Sequence, residues 1–211
     1  MKKKGKFFTF EGGEGSGKTS IIPKLANHLL TLGCDVVQTR EPGGTPLGES
    51  IRTLLLEHSE KKTFFSIKAE VGLFLSSRAQ HVEELLLPSI DQGKIILCDR
   101  YNDSSIAYQG YARGLGIEEI ENVSSFFTNN LVPDLTFYLD IDPKIGLERV
   151  KKLTHNSFDR IESESIDFHQ KVRDGFHILA KKYSDRYRVI DASQTLEKVL
   201  EDIIVIIEKE I

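Results

Sequence analysis

The chain has 211 residues, enough for one α/β domain with a sizeable core, and 28 Lys+Arg against 32 Asp+Glu leave a formal net charge of −4. That mildly acidic balance argues against a dedicated nucleic-acid surface, and no apolar run approaches the length of a membrane span. The basic start MKKKGK leads into only FFTF before polar sequence resumes, so no signal peptide is expected and the compartment reads as cytoplasmic.

KFFTF reads as a short buried strand, and the stretch after it carries a phosphate-loop pattern. Gly12, Gly17, Lys18 and Thr19 fit G-x-x-x-x-G-K-[ST], with Gly13, Glu14, Gly15 and Ser16 between them. Glycines let successive backbone N–H groups turn inward around phosphate oxygens, and the following helix aims its positive end at the same spot. Lys18 adds a cation for the outer phosphates, and the Thr19 hydroxyl is a candidate Mg²⁺ ligand. A helix is expected near 17–32, with Gly33 as its stop. Strand, loop and helix in that order point to ATP or GTP binding.

CDVVQTR is the next strand-like run, ending at Arg40; a Pro-Gly-Gly turn follows, then a helix near 46–58 carrying Arg52. On a helix near 67–88, Phe74 and Arg78 are four apart and share a face, so a ring that stacks on a nucleobase would stand beside a guanidinium able to donate to its carbonyl. Phe74 taken alone reads equally well as core. KIILCD ends at Asp99, an acidic strand end suited to Mg²⁺ or its waters, and Arg100 beside it could grip a phosphate. With Arg40 this makes a second anion site. Tyr108, three residues after Ser105, would share a helical face with it.

Helices near 116–128, 143–153, 165–183 and 195–209 alternate with the strand-like DLTFYLDI and YRVIDA. The polar stretch 151–165 reads either as an excursion near the nucleotide or as an ordinary surface loop. The strand-like runs are apolar on both faces, and their alternation with helices predicts a parallel sheet covered on both sides. Cys34 and Cys98 read as buried free thiols. The histidines at 28, 58, 81, 155, 169 and 177 have no metal-ligand spacing.

FEGGEGSGKT, TREPGGTPLGE, LFLSSRAQH, LCDRYNDSSIAYQGYARGLG, PDLTFYLDI and DRIESE together resemble the thymidylate kinases of bacterial type, across nearly the whole chain. The resemblance implies a phosphate-loop NTPase fold in one domain over 1–211, with five parallel strands, a loop at 12–19 and a short lid at about 149–162. It implies transfer of the γ-phosphoryl group of ATP to dTMP with Mg²⁺, in a homodimer. Residues 12–19 would hold ATP. Arg100, Arg52 and Arg40 would surround the dTMP phosphate, Phe74 would stack on thymine, Arg78 would contact its carbonyl and Ser105 would stand near the base edge. Tyr108 and Gln109 would line the sugar, and Glu14 would contact the sugar 3′-hydroxyl and the acceptor arginines.

Other readings are a kinase for a different nucleoside monophosphate, a GTPase switch, which would need N-K-x-D and D-x-x-G motifs that the chain lacks, and an inactive scaffold. Residues 13–16 contain no arginine for the transferring group, so that charge must come from elsewhere, and the resemblance implies that the lid supplies it. Arg149, at the lid entrance, is the candidate, with Arg160 as runner-up; neighbouring Lys151 and Lys152 cannot present the same planar fork.

Overall fold

The aromatic run Phe7, Phe8 and Phe10 is fully buried because β1 (Lys6–Glu11) is the central strand of a five-stranded parallel sheet. The computed structural model describes residues 4–56, 66–153 and 159–211. The strand order is β2-β3-β1-β4-β5, with β2 (Val36–Arg40) and β5 (Tyr187–Asp191) at the edges and β3 (Ile95–Asp99) and β4 (Leu135–Asp140) flanking β1. All five strand expectations are met. The three inner strands are buried on both faces, whereas β2 is half exposed, as an edge strand with one free side can be.

Alternation along the strands sorts side chains to two cores. Phe8, Phe10, Leu97, Phe137 and Leu139 meet α1 (Lys18–Thr31) and α9 (Leu196–Ile207) through Ile21, Leu25 and Ile203. On the opposite face Phe7, Ile96 and Cys98 lie under Val82, Leu86 and Ile90, and Tyr138 stacks on Phe176 of α8 (Ile166–Lys182). Both cysteines are free, but only Cys98 is fully buried; Cys34 packs at the rim of the first core.

α2 (Pro46–Leu56) follows β2, and α3 (Ile67–His81) continues through a π-helical segment, Val82–Leu86, into α4 (Leu87–Asp91). The expected helix over 67–88 thus runs slightly longer and bulges. After β3 comes a helical stretch that the sequence announces only in the helical face expected of Ser105 and Tyr108: α5 (Asn102–Ser105) and the π-helical Ile106–Ala112. Its propensity is weak, with β-branched Ile106 and Gly110, but residues 105–110 are all buried, so packing rather than propensity forms it. α6 (Ile117–Phe127) and α7 (Pro143–Leu153) complete the order. The tips of the expected α2 and of the lid, with His58 and His155, lie outside the described residues.

The pairing registers align the strand ends that carry chemistry: Phe10 pairs with Asp99, Arg40 with Asp99, and Glu11 with Tyr138. Arg40, Asp99 and Glu11 therefore sit along the carboxyl edge of the sheet, where open α/β sheets bind ligands.

The loop after β1 is pressed against α7 with no side chains between them. A Cβ on Gly146 would come within 2.1 Å of the Glu14 carbonyl oxygen, and one on Gly15 within 2.0 Å of the Gly146 carbonyl oxygen. In contrast, a Cβ on solvent-exposed Gly72 in α3 meets nothing within 4 Å. Gly146→Ala should therefore destabilise by about 1–3 kcal/mol through overpacking. Gly72→Ala should stabilise by about 0.5–1 kcal/mol by restricting the unfolded chain. Thermal melting of both variants checks this; a Tm ranking other than Gly72→Ala above parent above Gly146→Ala contradicts it.

Candidate active site

Gly12, Gly15 and Gly17 have φ of 145°, 68° and 95°, so the loop's course uses backbone conformations that side chains disfavour. α1 starts at Lys18 with no side-chain cap and no acidic residue in its first turn, which leaves its backbone donors open to an anion. Lys18 is buried and donates to Gly12 O at 3.0 Å, Gly13 O at 3.2 Å and Ser16 Oγ at 3.1 Å, so its ammonium binds the loop to itself. Burial, and next Arg100, pull the Lys18 pKa below its ordinary value.

Glu14 leaves the anion loop by turning towards the far side of the cleft. Its Oε1 accepts from Arg100 NH2 at 2.7 Å and from the Tyr108 hydroxyl at 2.8 Å. Burial opposes charge on Glu14, but the Arg100 and Lys18 cations and the Tyr108 hydrogen bond outweigh it and hold the carboxyl below its ordinary value. Arg100 reaches it from an unusual backbone: φ is 67°, rare outside glycine, with N–H donated to Phe10 O at 2.9 Å. The guanidinium also donates to Gly12 O at 3.0 Å and lies 5.1 Å from the Tyr108 ring centroid. Phe168 and Phe176 of α8 hold that ring edge-on.

A second buried charge cluster stands opposite. Arg78, 1% exposed, donates Nε to Glu41 Oε2 at 2.7 Å, NH1 to Asn102 Oδ1 at 3.3 Å, and NH2 to Tyr101 O and Ser105 Oγ at 3.1 and 3.0 Å. Of the five guanidinium N–H groups, one on NH1 has no bond among the described residues. His81 Nδ1 sits 2.8 Å from the other Glu41 oxygen. Burial works against the Glu41 charge, and Arg78 and His81 more than offset it, so its carboxyl is held low.

Between the clusters lies a cleft of about 1050 Å³, lined by the loop, Arg40, Arg52, Phe74, Arg78, Asp99, Arg100, Ser105, Tyr108, Gln109 and Arg149. Nearly all the sequence candidates thus meet in one place. Arg52 donates to Pro42 O at 2.9 Å across the turn, and burial, with Arg40 and Arg100 nearby, lowers its pKa, as expected of cations gathered where an anion would relieve them. Thr19 Oγ1 donates to Asp99 Oδ2 at 3.4 Å. Arg149 on α7 donates NH1 to Ala192 O at 3.0 Å and to Gly15 O at 3.4 Å, beside the loop. Arg160 is engaged elsewhere: Nε donates to Leu55 O at 2.8 Å and NH2 pairs with Glu70 at 2.7 Å.

Sequence reasoning passed over the carboxylates that hold these groups. Glu41 lay inside the quoted turn without a role, and Glu70 shares the i, i+4 face of Phe74 and Arg78, a spacing that could have flagged it. Glu11, fully buried at the end of β1, accepts from Tyr101 N at 2.8 Å and from Ser104 Oγ. Burial, and then Asp103, push it from 4.5 up to about 7.

Comparison with known proteins follows the same line. Residues 10–203 match the family model described as thymidylate kinase. A thymidylate kinase of a Geobacillus species is 48% identical over 93% of this chain and 92% of its own, and one of Protochlamydia amoebophila is 46% identical over 99% and 95%. The crystal structure of thymidylate kinase from Ehrlichia chaffeensis superposes with a TM-score of 0.78 at 33% identity, covering 97% of this chain and 99% of that one. The architecture is accordingly the phosphate-loop NTPase fold.

The buried Glu11 carboxyl makes stability depend on pH. Between 4.5 and about 7 the folded state holds a proton that the unfolded state has lost, so this contribution is full below 4.5 and vanishes as pH rises through 7. Glu11→Gln keeps an acceptor for Tyr101 N and cannot titrate. The parent's Tm relative to this variant should therefore fall by several degrees between pH 5 and pH 8, at about 2–4 °C per kcal/mol for a chain of this size. A difference that does not move with pH refutes the assignment.

Proposed function

The chain belongs to the thymidylate kinase family, which phosphorylates dTMP to dTDP with ATP, and from that premise we propose which of its residues do what. The observation that carries the reading is the Glu14 carboxylate, part of the phosphate loop yet bonded to Arg100 and Tyr108 of the stretch that follows β3. One rigid loop then addresses both substrates: its backbone N–H groups and Lys18 take the ATP phosphates, while Glu14 orients the acceptor side. For this, the Lys18 ammonium exchanges its loop carbonyl partners for phosphate oxygens.

On the acceptor side Arg40, Arg52 and Arg100 hold the dTMP phosphate, and Phe74 stacks on thymine. The free NH1 hydrogen of Arg78 meets a base carbonyl, with Ser105 beside it. Tyr108 lines the sugar, where its ring crowds a ribose 2′-hydroxyl; Gln109, expected beside it, reaches from the sugar to the base edge. Thr19 and Asp99 bring two hard oxygen atoms together at the cleft wall, a fit for Mg²⁺. When bound, that ion neutralises charge on the phosphate oxygens. Phosphoryl transfer passes through a loose transition state, so positioning and charge dominate and no general base is assigned. Glu14, held below its ordinary pKa, serves as a fixed anion. Arg149 supplies the transition-state cation; its place beside Gly15 supports this, and the Arg160 contacts with Leu55 and Glu70 fit an anchor better.

A single cytoplasmic domain working as a homodimer fits the remaining surface. Among the described residues no helix is long and apolar enough to cross a membrane. Leu54 on α2, Ile67 on α3 and Phe126 on α6 are 60%, 40% and 81% exposed, on helices that pack together in the order α2, α3, α6. If that face pairs with its copy, light scattering should give a dimer for the parent and a monomer for Phe126→Asp. A monomeric parent rules the dimer out.

ADP release measured with dTMP, dUMP, dCMP, AMP, GMP and UMP tests the activity, with dTMP the preferred acceptor and dUMP slower, since one methyl group is worth only about 1–3 kcal/mol. Arg149→Ala should cut single-turnover kcat about 10²-fold or more, leave ATP and dTMP binding within a few-fold, and resist rescue by Arg149→Lys. Should Arg160→Ala give that pattern instead, the lid cation is Arg160.

A further inference from the structure

Glu70 stands on the first turn of α3 with its side chain 3% exposed, and its two oxygens are divided among three side chains from two other parts of the chain. Oε1 accepts from Gln109 Nε2 at 2.9 Å and from Arg113 Nε at 2.8 Å; Oε2 pairs with Arg160 NH2 at 2.7 Å. Arg113 is itself fixed by Glu164 at 2.9 Å, and Arg160 by the Leu55 carbonyl at 2.8 Å. Of these groups Gln109 alone lines the cleft.

A carboxylate gripped by two guanidiniums accepts hydrogen bonds and donates none, whereas a primary amide donates at one end and accepts at the other. Turning the Gln109 amide round would set its carbonyl oxygen against the Glu70 oxygen, two acceptors in a buried site with no proton between them, which is costly. The NH₂ end of Gln109 is thereby committed to Glu70, and the carbonyl end remains for the cleft. Arg78, with one uncommitted N–H, is the opposite: a group that only donates.

We propose that Glu70 is a positioning residue that fixes the hydrogen-bond polarity of Gln109, so that the acceptor pocket shows a donor from Arg78 and an acceptor from Gln109. The proposal rests on dTMP as the acceptor. That pair matches the 4-keto, 3-NH edge shared by thymine and uracil. It opposes the 4-amino, bare-N3 edge of cytosine, where donor would meet donor and acceptor would meet acceptor. Glu70 touches no substrate; it makes Gln109 unable to adapt to the wrong base.

The test compares kcat/KM for dTMP and dCMP in the parent, Glu70→Gln and Glu70→Asp. A glutamine at 70 can donate as well as accept, so the Gln109 amide is free to turn. The dTMP-over-dCMP ratio should then fall about tenfold or more, through KM for dTMP, with KM for ATP within about threefold of the parent. Glu70→Asp keeps an acceptor-only group and should recover part of the ratio. A folded Glu70→Gln whose ratio stays within threefold of the parent overturns the proposal alone; a parent that does not phosphorylate dTMP overturns the reading beneath it as well. A measurement on the parent needs no variant at position 70: the Gln109 side-chain amide protons, identified by their loss in Gln109→Leu, should exchange with water at least 10²-fold more slowly than a free amide. Exchange at the free rate also overturns the proposal.

Discussion

The Glu14 carboxylate between Arg100 and Tyr108 is the contact on which the rest of the cleft depends. It ties the loop after the central strand to the helical stretch after β3, two segments far apart in sequence that the Arg100 bond to Gly12 O also joins. Remove it and Arg100, in its left-handed backbone, loses the anion towards which that backbone aims it, while a buried guanidinium is left short of charge. Breaking one side of a fully buried pair commonly costs about 3–5 kcal/mol, and this pair, 17% and 18% exposed, falls below that. The stretch Asn102–Ala112, whose sequence has little preference for helix, is held where Ser105, Tyr108 and Gln109 face the cavity by that contact at one end and by α8 behind it.

Four glutamates repeat this pattern at different depths. Glu11, Glu14, Glu41 and Glu70 are acceptors set behind or within the wall, each engaging groups that line the cleft or adjoin it. The charged ones, Glu14, Glu41 and Glu70, add little net stability, because desolvation cancels most of the attraction. Their effect is to remove freedom. Arg78 retains one usable N–H, Arg100 one direction, and Gln109 one amide orientation. A pocket assembled in this way pays its ordering cost on folding, so less is left to pay when a ligand enters.

The sequence carried the sheet well, since the strands are short runs rich in apolar residues, each closed by a polar one, and two of those ends, Arg40 and Asp99, hold groups with evident chemistry. It carried the loop and the arginines too, because spacing on a helix or position at a strand end is visible in one dimension. What it did not carry was of two kinds. The stretch after β3 has no apolar periodicity of its own, and only the burial of Ile106, Ala107 and Tyr108 against α8 makes it helical. The supporting carboxylates Glu11, Glu41 and Glu70 lie 37 to 93 residues from their partners, as with Glu41 and Arg78 or Glu11 and Ser104, so no local pattern links them. Arg160 is the instructive case: beside Asp159 in a polar stretch it looks free to act, and in space it closes the last turn of α2.

The order of the strands also bears on how the chain is made. β1 is synthesised first but lies in the centre, between β3 and β4, so it has no strand to pair with until residue 95 and is not flanked on both sides until residue 140. The loop it feeds is finished later still: Gly146 supports Glu14, Ala192 O receives Arg149, and Leu196 closes the cleft wall beyond β5. On a ribosome adding about 5–20 residues per second, the three buried phenylalanines of β1 wait several seconds for their neighbours. A nascent chain that stops short of Leu196 carries the whole phosphate-loop motif and still lacks the surroundings that shape it, so the loop is written before most of the fold and takes its form after it.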